Sequence, residues 1–528
     1  MVGDRTSKDE PVSARLAARV GSGSLAALLA WRACERPDHA YLYVEEDDPW
    51  TFAELAHAAA EIAERLAEAG VGTGGRVLTR IGNEERFLPV LVATWLRGAA
   101  LLPMHPAAPP SDVAKTASAM RVDVLLCDTA DAAASAAGSL PIVPLRPIAH
   151  RPLGSVTPPL DVPADVLGGD PALILLTSGS TGEPKGVLLT HDNAWASLRA
   201  TVSAFRSDTG PSPLPDEPKP PNLIANPLSH TAGIVRLLFS LYVGRDVVLL
   251  RKFDGAMAKR LIDRHGINNL TLNPAMLRML LDQVPPGEKL GAVRYASSGT
   301  APLTPALREQ FEERFGIPVL QAYGQTEAFG GISIESVKDV LAGRRRPGSV
   351  GKPLPGVELL IVGTDGKETP AGESGEIWVR SRAAMAGYLG GAQDAPQQEG
   401  EWLRTGDLGR LDEDGYLYIT GRLKNIIICG GFNIVPEEVE AALEQDPRIT
   451  EAVVISWPDD RLGEIPVAVV EGTGTADELL ESARPRLAAY KRPRRLVRVD
   501  ALPRVPNGKV NRHAVTALVG DQITSAAR

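Results

Sequence analysis

Helical and strand-like patterns of apolar residues alternate along the chain from residue 51 onward. Residues 51–69, TFAELAHAAAEIAERLAEA, repeat apolar side chains at helical spacing, and Gly70 follows where a helix would end. Short apolar runs that are typical of buried strands recur between helical segments. They lie at residues 77–81, 122–126, 172–176, 222–225, 247–250 and 270–272. Because such runs between helices indicate sheets covered on both faces, the pattern predicts α/β architecture with several sheets.

The pattern changes after Gly421. Strand-like pieces at residues 452–456 and 467–470 alternate there with charged helical segments at residues 437–444 and 476–486. A segment of about a hundred residues has the usual size of one domain. We therefore expect a large N-terminal α/β domain over residues 1–421 and a small α+β domain over residues 422–528.

Polar and charged stretches interrupt this pattern. Residues 207–222 are rich in proline and residues 335–351 in glycine and arginine, so we expect two mobile surface loops. Two basic clusters, at residues 344–346 and 491–495, fit solvated loops or helix ends.

Composition excludes several classes of protein. The 528 residues are 44% apolar and carry a net charge of −9, which disfavours disorder and argues against a nucleic-acid partner. No apolar run reaches the length of a membrane span, and the N-terminal residues do not resemble a secretory signal. The three cysteines show neither metal-binding nor disulfide spacing. We expect a soluble cytoplasmic protein.

The segment TSGSTGEPKG, at residues 177–186, carries the strongest chemical signal. Its hydroxyls, glycines and Lys185 suit the oxygens of a phosphate, although a flexible Ser/Gly turn is an alternative. A Walker loop is excluded, because Gly186 stands where Ser or Thr is required.

This segment resembles the phosphate loop of the adenylate-forming superfamily, which includes acyl- and aryl-CoA synthetases, luciferases and nonribosomal-peptide adenylation domains. Further matches follow in the order of that family. They are NPLSHTAG (226–233), SSGTAPL (297–303), AYGQTEA (322–328), WLRTGDLG (402–409), GRLKNIIICGGFNI (421–434) and PNGKVNR (506–512). Taken singly, these segments fit ordinary turns, caps or a solvated lysine.

The resemblance implies a role for each matching residue. Tyr323 would stack on adenine, Thr326 would contact the α-phosphate, and Glu327 would hold Mg²⁺. Asp407 would bind the ribose, and Lys509 would bridge the acid and the α-phosphate. The implied catalytic residues are Lys509, Thr326, Glu327 and His230. The implied nucleotide and cofactor contacts are Thr177, Ser178, Gly179, Ser180, Thr181, Gly182, Lys185, Ser298, Gly299, Thr300, Ala322, Tyr323, Gly324, Thr326, Asp407, Arg422, Lys424, Gly430 and Gly431.

The reaction implied by the resemblance has two steps. ATP and the acid give an acyl-adenylate, and a thiol then takes the acyl group. The small domain would rotate about Lys424 between the steps, and Gly430 and Gly431 would let the pantetheine arm pass. The thiol belongs to coenzyme A or to an acyl carrier protein, and the basic residues 491–495 suit either partner. A non-catalytic binding protein is disfavoured, because Lys509, Glu327 and Asp407 are all present.

The acid is only partly constrained by the sequence. No acidic residue lies between Asn226 and Arg236, which disfavours an amino acid and leaves aromatic or aliphatic acids. Arg236 either faces water or pairs with a second carboxylate or a polar substituent of the acid. His230 would stand beside the carboxylate or would be structural. The expected pocket residues are His230, Ala232, Gly233, Gly324, Phe329, Gly330 and Gly331.

Overall fold

The computed structural model describes residues 20–128, 140–151, 160–177, 185–205, 219–390, 398–459, 461–505 and 509–525. The α-helices are α1 (Ala26–Glu35), α2 (Phe52–Glu68), α3 (Phe87–Leu96), α4 (Pro110–Ala119), α5 (His191–Phe205), α6 (Thr231–Val243), α7 (Gly255–His265), α8 (Pro274–Gln283), α9 (Pro305–Phe315), α10 (Val337–Leu341), α11 (Pro436–Leu443), α12 (Ala476–Ala483) and α13 (Arg512–Ser525).

The strands begin with β1 (Ala40–Val44), β2 (Trp50–Thr51), β3 (Arg76–Thr79), β4 (Ala100–Pro103), β5 (Val124–Cys127), β6 (Ile142–Pro144), β7 (Pro171–Thr177), β8 (Lys185–Thr190), β9 (Asn222–Ile224), β10 (Val247–Leu249), β11 (Asn269–Leu272), β12 (Tyr295–Ser298) and β13 (Val319–Gln325). They continue with β14 (Gly330–Ile334), β15 (Lys352–Pro353), β16 (Val357–Val362), β17 (Gly375–Ser381), β18 (Gly387–Leu389), β19 (Gln398–Glu399), β20 (Trp402–Leu411), β21 (Leu417–Arg422), β22 (Ile427–Cys429), β23 (Phe432–Ile434), β24 (Ile449–Asp459), β25 (Gly463–Gly472) and β26 (Arg495–Val499).

These strands form five sheets. Four sheets precede residue 423 and have the orders β18-β8-β7-β4-β3-β5-β6, β2-β1-β10-β9, β11-β12-β13-β14-β15 and β16-β17-β20-β19, with β21 beside β20. The fifth has the order β23-β22-β25-β24, with β26 beside β25. The predicted α/β architecture with a large and a small part is therefore confirmed.

Local sequence explains where α2 begins. The Thr51 side chain accepts from the backbone N–H of Glu54, and the Glu54 carboxylate accepts from the Thr51 N–H at 2.8 Å. This reciprocal pair satisfies two N–H groups that a helix start leaves without partners. The helix predicted over residues 51–69 is confirmed with ends shifted by one residue.

Parallel pairing brings the carboxyl ends of several strands to one edge. Strands β11, β12 and β13 are parallel neighbours, and β9 is parallel to β10. In open α/β sheets, ligands bind beyond the carboxyl ends of the strands. The SHTAG, SSGT and AYGQTEA segments follow or end β9, β12 and β13, so this topology collects three of the motifs.

The segment over residues 335–351 is largely exposed, as expected of a surface segment, but it is not a loop throughout. It contains α10, and Glu335 is buried in an ion pair with Arg308 at 2.5 Å. The Arg345 guanidinium donates to both carboxylate oxygens of Glu312 at 2.9 and 2.8 Å, and Arg346 bonds to Asp414. Arg344 and Arg346 of this basic cluster are exposed, as expected of a solvated loop, and all three arginines also pair with carboxylates. Most of the other expected loop, at residues 207–222, lies outside the described residues.

The C-terminal residues have a hydrophobic core of their own. It runs from Ile427 to Val519, whereas the main core ends at Leu417. Strands β24 and β25 form one long antiparallel hairpin that extends beyond the predicted strand pieces on both sides. Among the described residues, no helix is long and apolar enough to span a membrane.

Candidate active site

His230 caps α6 at the edge where the strands end. Its Nδ1 accepts from the backbone N–H of Ala232 at 3.3 Å, so a neutral ring carries its proton on Nε2. Burial, aided by the charge of Lys509, lowers the His230 pKa to about 4. The imidazole is therefore neutral near pH 7 and can offer Nε2–H as a donor.

Thr326 lies against the first residue of α6. The Thr231 hydroxyl donates to the Thr326 hydroxyl oxygen at 2.9 Å, which joins the SHTAG and AYGQTEA segments. Thr326 is partly exposed, so its hydroxyl remains open to a ligand.

Two hydroxyls at the carboxyl end of β12 have no partner among the described residues. They are Oγ of Ser298 and Oγ1 of Thr300, and both atoms are buried. Thr300 also has a φ of 70°, which a β-branched residue rarely adopts. Orphaned polar groups and backbone strain together are typical of ligand sites.

Tyr323, Gln325 and Arg422 converge on Asp407. Oδ2 of this buried carboxylate accepts from the Tyr323 hydroxyl at 2.7 Å and from Nε2 of Gln325 at 2.6 Å. Arg422 pairs with Oδ1 at 2.7 Å from the neighbouring strand β21. Burial raises the Tyr323 pKa well above its usual value, with the Asp407 charge as the next cause. The network holds the tyrosine ring and the carboxylate in fixed positions.

Glu327 is the carboxylate that the sequence resemblance assigns to Mg²⁺. Its Oε1 accepts from the Tyr388 hydroxyl at 2.8 Å, and Tyr388 lies on β18 in a different sheet. Among the described residues, no group of three or more metal-ligating side chains exists. Mg²⁺ commonly takes one or two protein carboxylates together with substrate phosphates and water, and the Glu327 carboxylate is a ligand of that kind.

Lys509 brings the C-terminal part of the chain to this site. Burial, with the positive charge of Arg422, lowers its pKa to about 8, while Asp407 and Glu327 act in the opposite direction. Burial and Arg422 also lower the pKa of Lys424. Lys509 and Lys424 thus lie within electrostatic reach of both Asp407 and Glu327, and Arg422 pairs with Asp407.

The phosphate-loop segment is described only at its ends. Thr177 and Lys185 are cross-strand partners on β7 and β8, and Lys185 is buried. Ser178, Gly179, Ser180, Thr181 and Gly182 lie outside the described residues.

Small residues lie on and beside β13 and β14, next to the candidate site. Gly324 pairs with Gly331 across these strands, and a Cβ on Gly324 would stand 1.8 Å from the Gly330 carbonyl oxygen. Ala322, Gly330 and Gly331 are partly accessible. Ala232 and Gly299 are partly accessible as well.

Phe329 and Gly233, which were expected to line the pocket, are both buried. The Phe329 ring has no accessible surface and packs in the main core, so we correct the expectation that it lines an open pocket. Gly233 is buried, and a Cβ there would stand 2.4 Å from the Pro227 carbonyl oxygen. Both positions shape the backbone around the site.

Gly430 and Gly431 form the turn between β22 and β23, with φ values of 57° and 86°. The Gly430 N–H donates to the Leu462 carbonyl at 2.9 Å. Both glycines are exposed on the C-terminal part of the chain.

Sequence reasoning missed Tyr388, Gln325 and Thr231 as partners of site residues. Gln325 and Thr231 lie inside recognised segments, so their positions were available. The sequence around Tyr388 does not indicate that this residue lies at the site, because β18 reaches the site by pairing with β8, about two hundred residues earlier.

Comparison with known proteins agrees with this geometry. The sequence model of the family described as AMP-binding enzyme matches residues 29–389, and that of the AMP-binding enzyme C-terminal domain matches residues 438–509. The sulfoacetate–CoA ligase of Cupriavidus necator is 34% identical over 520 residues, which cover 93% of this chain and 96% of that protein.

Solved structures of o-succinylbenzoate CoA synthetase from Bacillus subtilis share the fold. The complex with its acyl-adenylate has a TM-score of 0.79 at 28% identity, covering 92% of this chain and 97% of that chain. The complex with ATP and magnesium has a TM-score of 0.78 at 29% identity, covering 92% and 98%. The chain belongs to the AMP-binding enzymes and is an acid–CoA ligase that uses ATP and Mg²⁺ to form an acyl-adenylate.

Proposed function

We propose that Lys509, Thr326, Glu327 and His230 catalyse adenylation, and that residues 422–528 form a domain that moves about Lys424 afterwards. The observation that carries this proposal is the electrostatic coupling of Lys509 to Glu327, Asp407 and His230. This coupling supports an active site built from both parts of the chain, because Lys509 belongs to the small C-terminal part and the other three residues belong to the large part.

In the first step, a carboxylate oxygen of the acid attacks the α-phosphorus of ATP. A bond from this oxygen to phosphorus forms while the bond from phosphorus to pyrophosphate breaks. Negative charge accumulates between two anions, so the Lys509 ammonium stabilises the transition state more than the ground state. The Thr326 hydroxyl and Nε2–H of His230 hold the two reacting groups. Glu327 would hold the Mg²⁺ that neutralises charge on ATP.

The nucleotide is held beside the Asp407 network. Tyr323 offers a ring fixed through its hydroxyl. The Asp407 carboxylate already accepts from Tyr323, Gln325 and Arg422, and its remaining lone pair suits a ribose hydroxyl. The orphaned hydroxyls of Ser298 and Thr300 supply further polar contacts to the nucleotide. Arg422 pairs with Oδ1 of Asp407 at 2.7 Å and holds this carboxylate in place.

In the second step, the thiol attacks the carbonyl carbon of the adenylate, and the bond from this carbon to the AMP oxygen breaks. Lys509 must leave so that the thiol can enter. Separate cores on either side of residues 418–426 support a boundary at residue 421 and a hinge at Lys424. The exposed turn at Gly430 and Gly431 would then border the pantetheine arm.

Substrate and acceptor are tested by one screen. Pyrophosphate release is measured with Mg²⁺–ATP over aromatic, fatty, dicarboxylic, sulfonated and amino acids. The panel includes sulfoacetate and 2-succinylbenzoate, because relatives named for these acids are 34% and 30% identical. Coenzyme A and a phosphopantetheine-loaded carrier protein are then offered in turn. We expect thioester with coenzyme A, whereas exclusive loading of the carrier protein would overturn that assignment.

Residue roles are tested by separating the half-reactions. Lys509→Ala should abolish adenylate formation and spare thioester formation from supplied adenylate. Arg484→Ala is the matched control, because this exposed arginine of the same part of the chain bonds to Glu481 at 3.1 Å and lies outside the basic cluster 491–495. Equal loss of both half-reactions in Lys509→Ala would contradict the proposed movement.

We also propose a cytoplasmic location. Its support is the small number of cysteines, all three of which are free thiols. Free thiols persist in reducing compartments. Fractionation of cells that express the full chain would test this location.

A further inference from the structure

Asn83 lies between β3 and α3, and its buried side chain bonds to two other segments of the large part of the chain. Nδ2 donates to the carbonyl oxygens of Leu250 at 3.0 Å and of Asn226 at 3.1 Å. Oδ1 accepts from the backbone N–H of Leu228 at 2.8 Å. One amide group therefore fixes three backbone groups that are at least 143 residues away along the chain.

The bonded segments lie at the carboxyl ends of strands from different sheets. Residues 225–230 connect β9 to α6, and Leu250 directly follows β10. Asn226 also donates through its own Nδ2 to the Thr271 carbonyl on β11 at 3.3 Å. Strand β3 belongs to the seven-stranded sheet, β9 and β10 to the four-stranded sheet, and β11 to a five-stranded sheet. Asn83 and Asn226 therefore join the ends of three sheets at the edge where the candidate site lies.

The connection that Asn83 holds is packed against the start of α6, where His230 lies. The Pro227 carbonyl accepts from the His230 N–H at 3.0 Å. The same carbonyl would stand 2.4 Å from a Cβ on Gly233, so the connection and the first turn of α6 meet backbone against backbone. Close packing of this kind leaves little room for independent movement. A shift of the connection would therefore displace His230 as well.

An amide meets all three bonding requirements at the position of Asn83. The buried N–H of Leu228 needs an acceptor, whereas the buried carbonyls of Asn226 and Leu250 need donors. A carboxylate of the same size would accept the first bond but would oppose the two carbonyl oxygens. An apolar side chain would leave all three backbone groups without these bonds, which is unfavourable for buried groups. The direction of each bond therefore depends on the asparagine.

We propose that Asn83 is a positioning residue for adenylation, which acts through its backbone bonds to orient the His230 ring toward the reacting groups. The inference rests on the proposed catalytic role of His230 and adds to it the residue that fixes the imidazole. The neutral ring offers a single donor, Nε2–H, so its direction decides whether the bond to the substrate forms. A displacement of about 1 Å can cost about a hundredfold in rate.

A double-mutant cycle separates positioning from stability. Pyrophosphate release is measured with Mg²⁺–ATP over the panel of acids that includes sulfoacetate and 2-succinylbenzoate, and the best acid is used for every variant. We expect His230→Ala to lose about a hundredfold in kcat/KM and Asn83→Ala about tenfold. In the His230→Ala background, Asn83→Ala should cost less than about twofold, because the group that it positions is absent.

The outcomes of the cycle distinguish the inference from the proposed function. A loss of about a thousandfold in the double variant, which is the product of the single losses, would overturn the inference alone. Wild-type kcat/KM in Asn83→Ala would also overturn it and leave the role of His230 intact. Wild-type kcat/KM in His230→Ala would overturn the catalytic role of His230 and the inference with it. Absence of pyrophosphate release with every acid would overturn the proposed function.

Thr79→Val is the matched control, because it removes another buried bond of the same region, from the Thr79 hydroxyl to the Leu126 carbonyl at 2.8 Å. It should lower the unfolding temperature and keep the wild-type kcat/KM. Calorimetry should find the same Kd for ATP in Asn83→Ala as in the wild type. Asn83→Ser, which retains a hydroxyl, carries the same cycle if Asn83→Ala does not fold. Lost ATP binding in the Asn83 variant, or an equal loss of kcat/KM in Thr79→Val, would assign Asn83 a structural role and overturn the proposal.

Discussion

The protonation state of Lys509 should govern adenylation above neutral pH. Its pKa is about 8, because burial and neighbouring cations disfavour the ammonium form. The cation is the active form, so activity is retained below this pKa and lost as the pH rises through it. With one titrating group, about nine tenths of the enzyme is active at about pH 7 and about one tenth at about pH 9. The kcat/KM for ATP should therefore fall tenfold per unit at higher pH.

The assay is pyrophosphate release at saturating acid and low ATP. It contains no thiol acceptor, so that the titration of an acceptor thiol does not contribute to the pH profile. Bound ATP favours the ammonium form, and the fall in kcat should therefore occur at higher pH than the fall in kcat/KM. Lys509→Arg keeps its charge at alkaline pH, so its activity should be lower overall but should not fall as the pH rises. Lys491→Ala should show the same fall at alkaline pH as the wild type. A flat wild-type profile, or an unchanged fall in Lys509→Arg, would refute the reasoning.

Three further substitutions test other parts of the account. Lys424→Pro should slow thioester formation more than adenylation, because proline fixes the hinge backbone, and an unchanged ratio of the two rates would count against the hinge. Tyr388→Phe removes the 2.8 Å bond to Glu327 and should raise the Mg²⁺ concentration for half-maximal adenylation severalfold, while an unaltered Mg²⁺ dependence would contradict this role. Burial raises the Glu444 pKa from 4.5 to about 7, so its stability contribution is present below pH 4.5 and lost as the pH rises through 7. Glu444→Gln should therefore stabilise the C-terminal part by about 3 kcal/mol at alkaline pH and not below pH 4.5. The measurement is the free energy of opening of β24 and β25 from hydrogen exchange in the variant and in the wild type. A difference between the two proteins that is the same at both pH values would contradict the prediction.

Local signals account for what the sequence predicted well. Helix α2 was predicted from its apolar spacing and from Gly70, and its start depends on Thr51 and Glu54, which lie only three residues apart. The recognised segments likewise combine hydroxyl, glycine and charged residues within a few positions of each other. Adenylate formation could therefore be predicted from them without knowledge of the fold. Strands were placed correctly where apolar runs were continuous.

Long-range pairing accounts for what was missed. The ion pairs of residues 335–351 were not predicted, since their partners Glu312 and Asp414 are remote in sequence. Strand β24 was predicted too short, because hairpin pairing extends it beyond its apolar residues. The burial of Arg236 depends on β9 and β11, which a helical pattern alone does not reveal.

The central claim is that a carboxylate oxygen attacks the α-phosphorus of ATP before the thiol reacts. An acid that supports pyrophosphate release would be labelled with ¹⁸O in its carboxylate and converted completely with coenzyme A. Mass spectrometry of the nucleotide should find one labelled oxygen in AMP, because the thiol breaks the bond between the carbonyl carbon and that oxygen. Label in inorganic phosphate, or unlabelled AMP beside the thioester, would contradict the account.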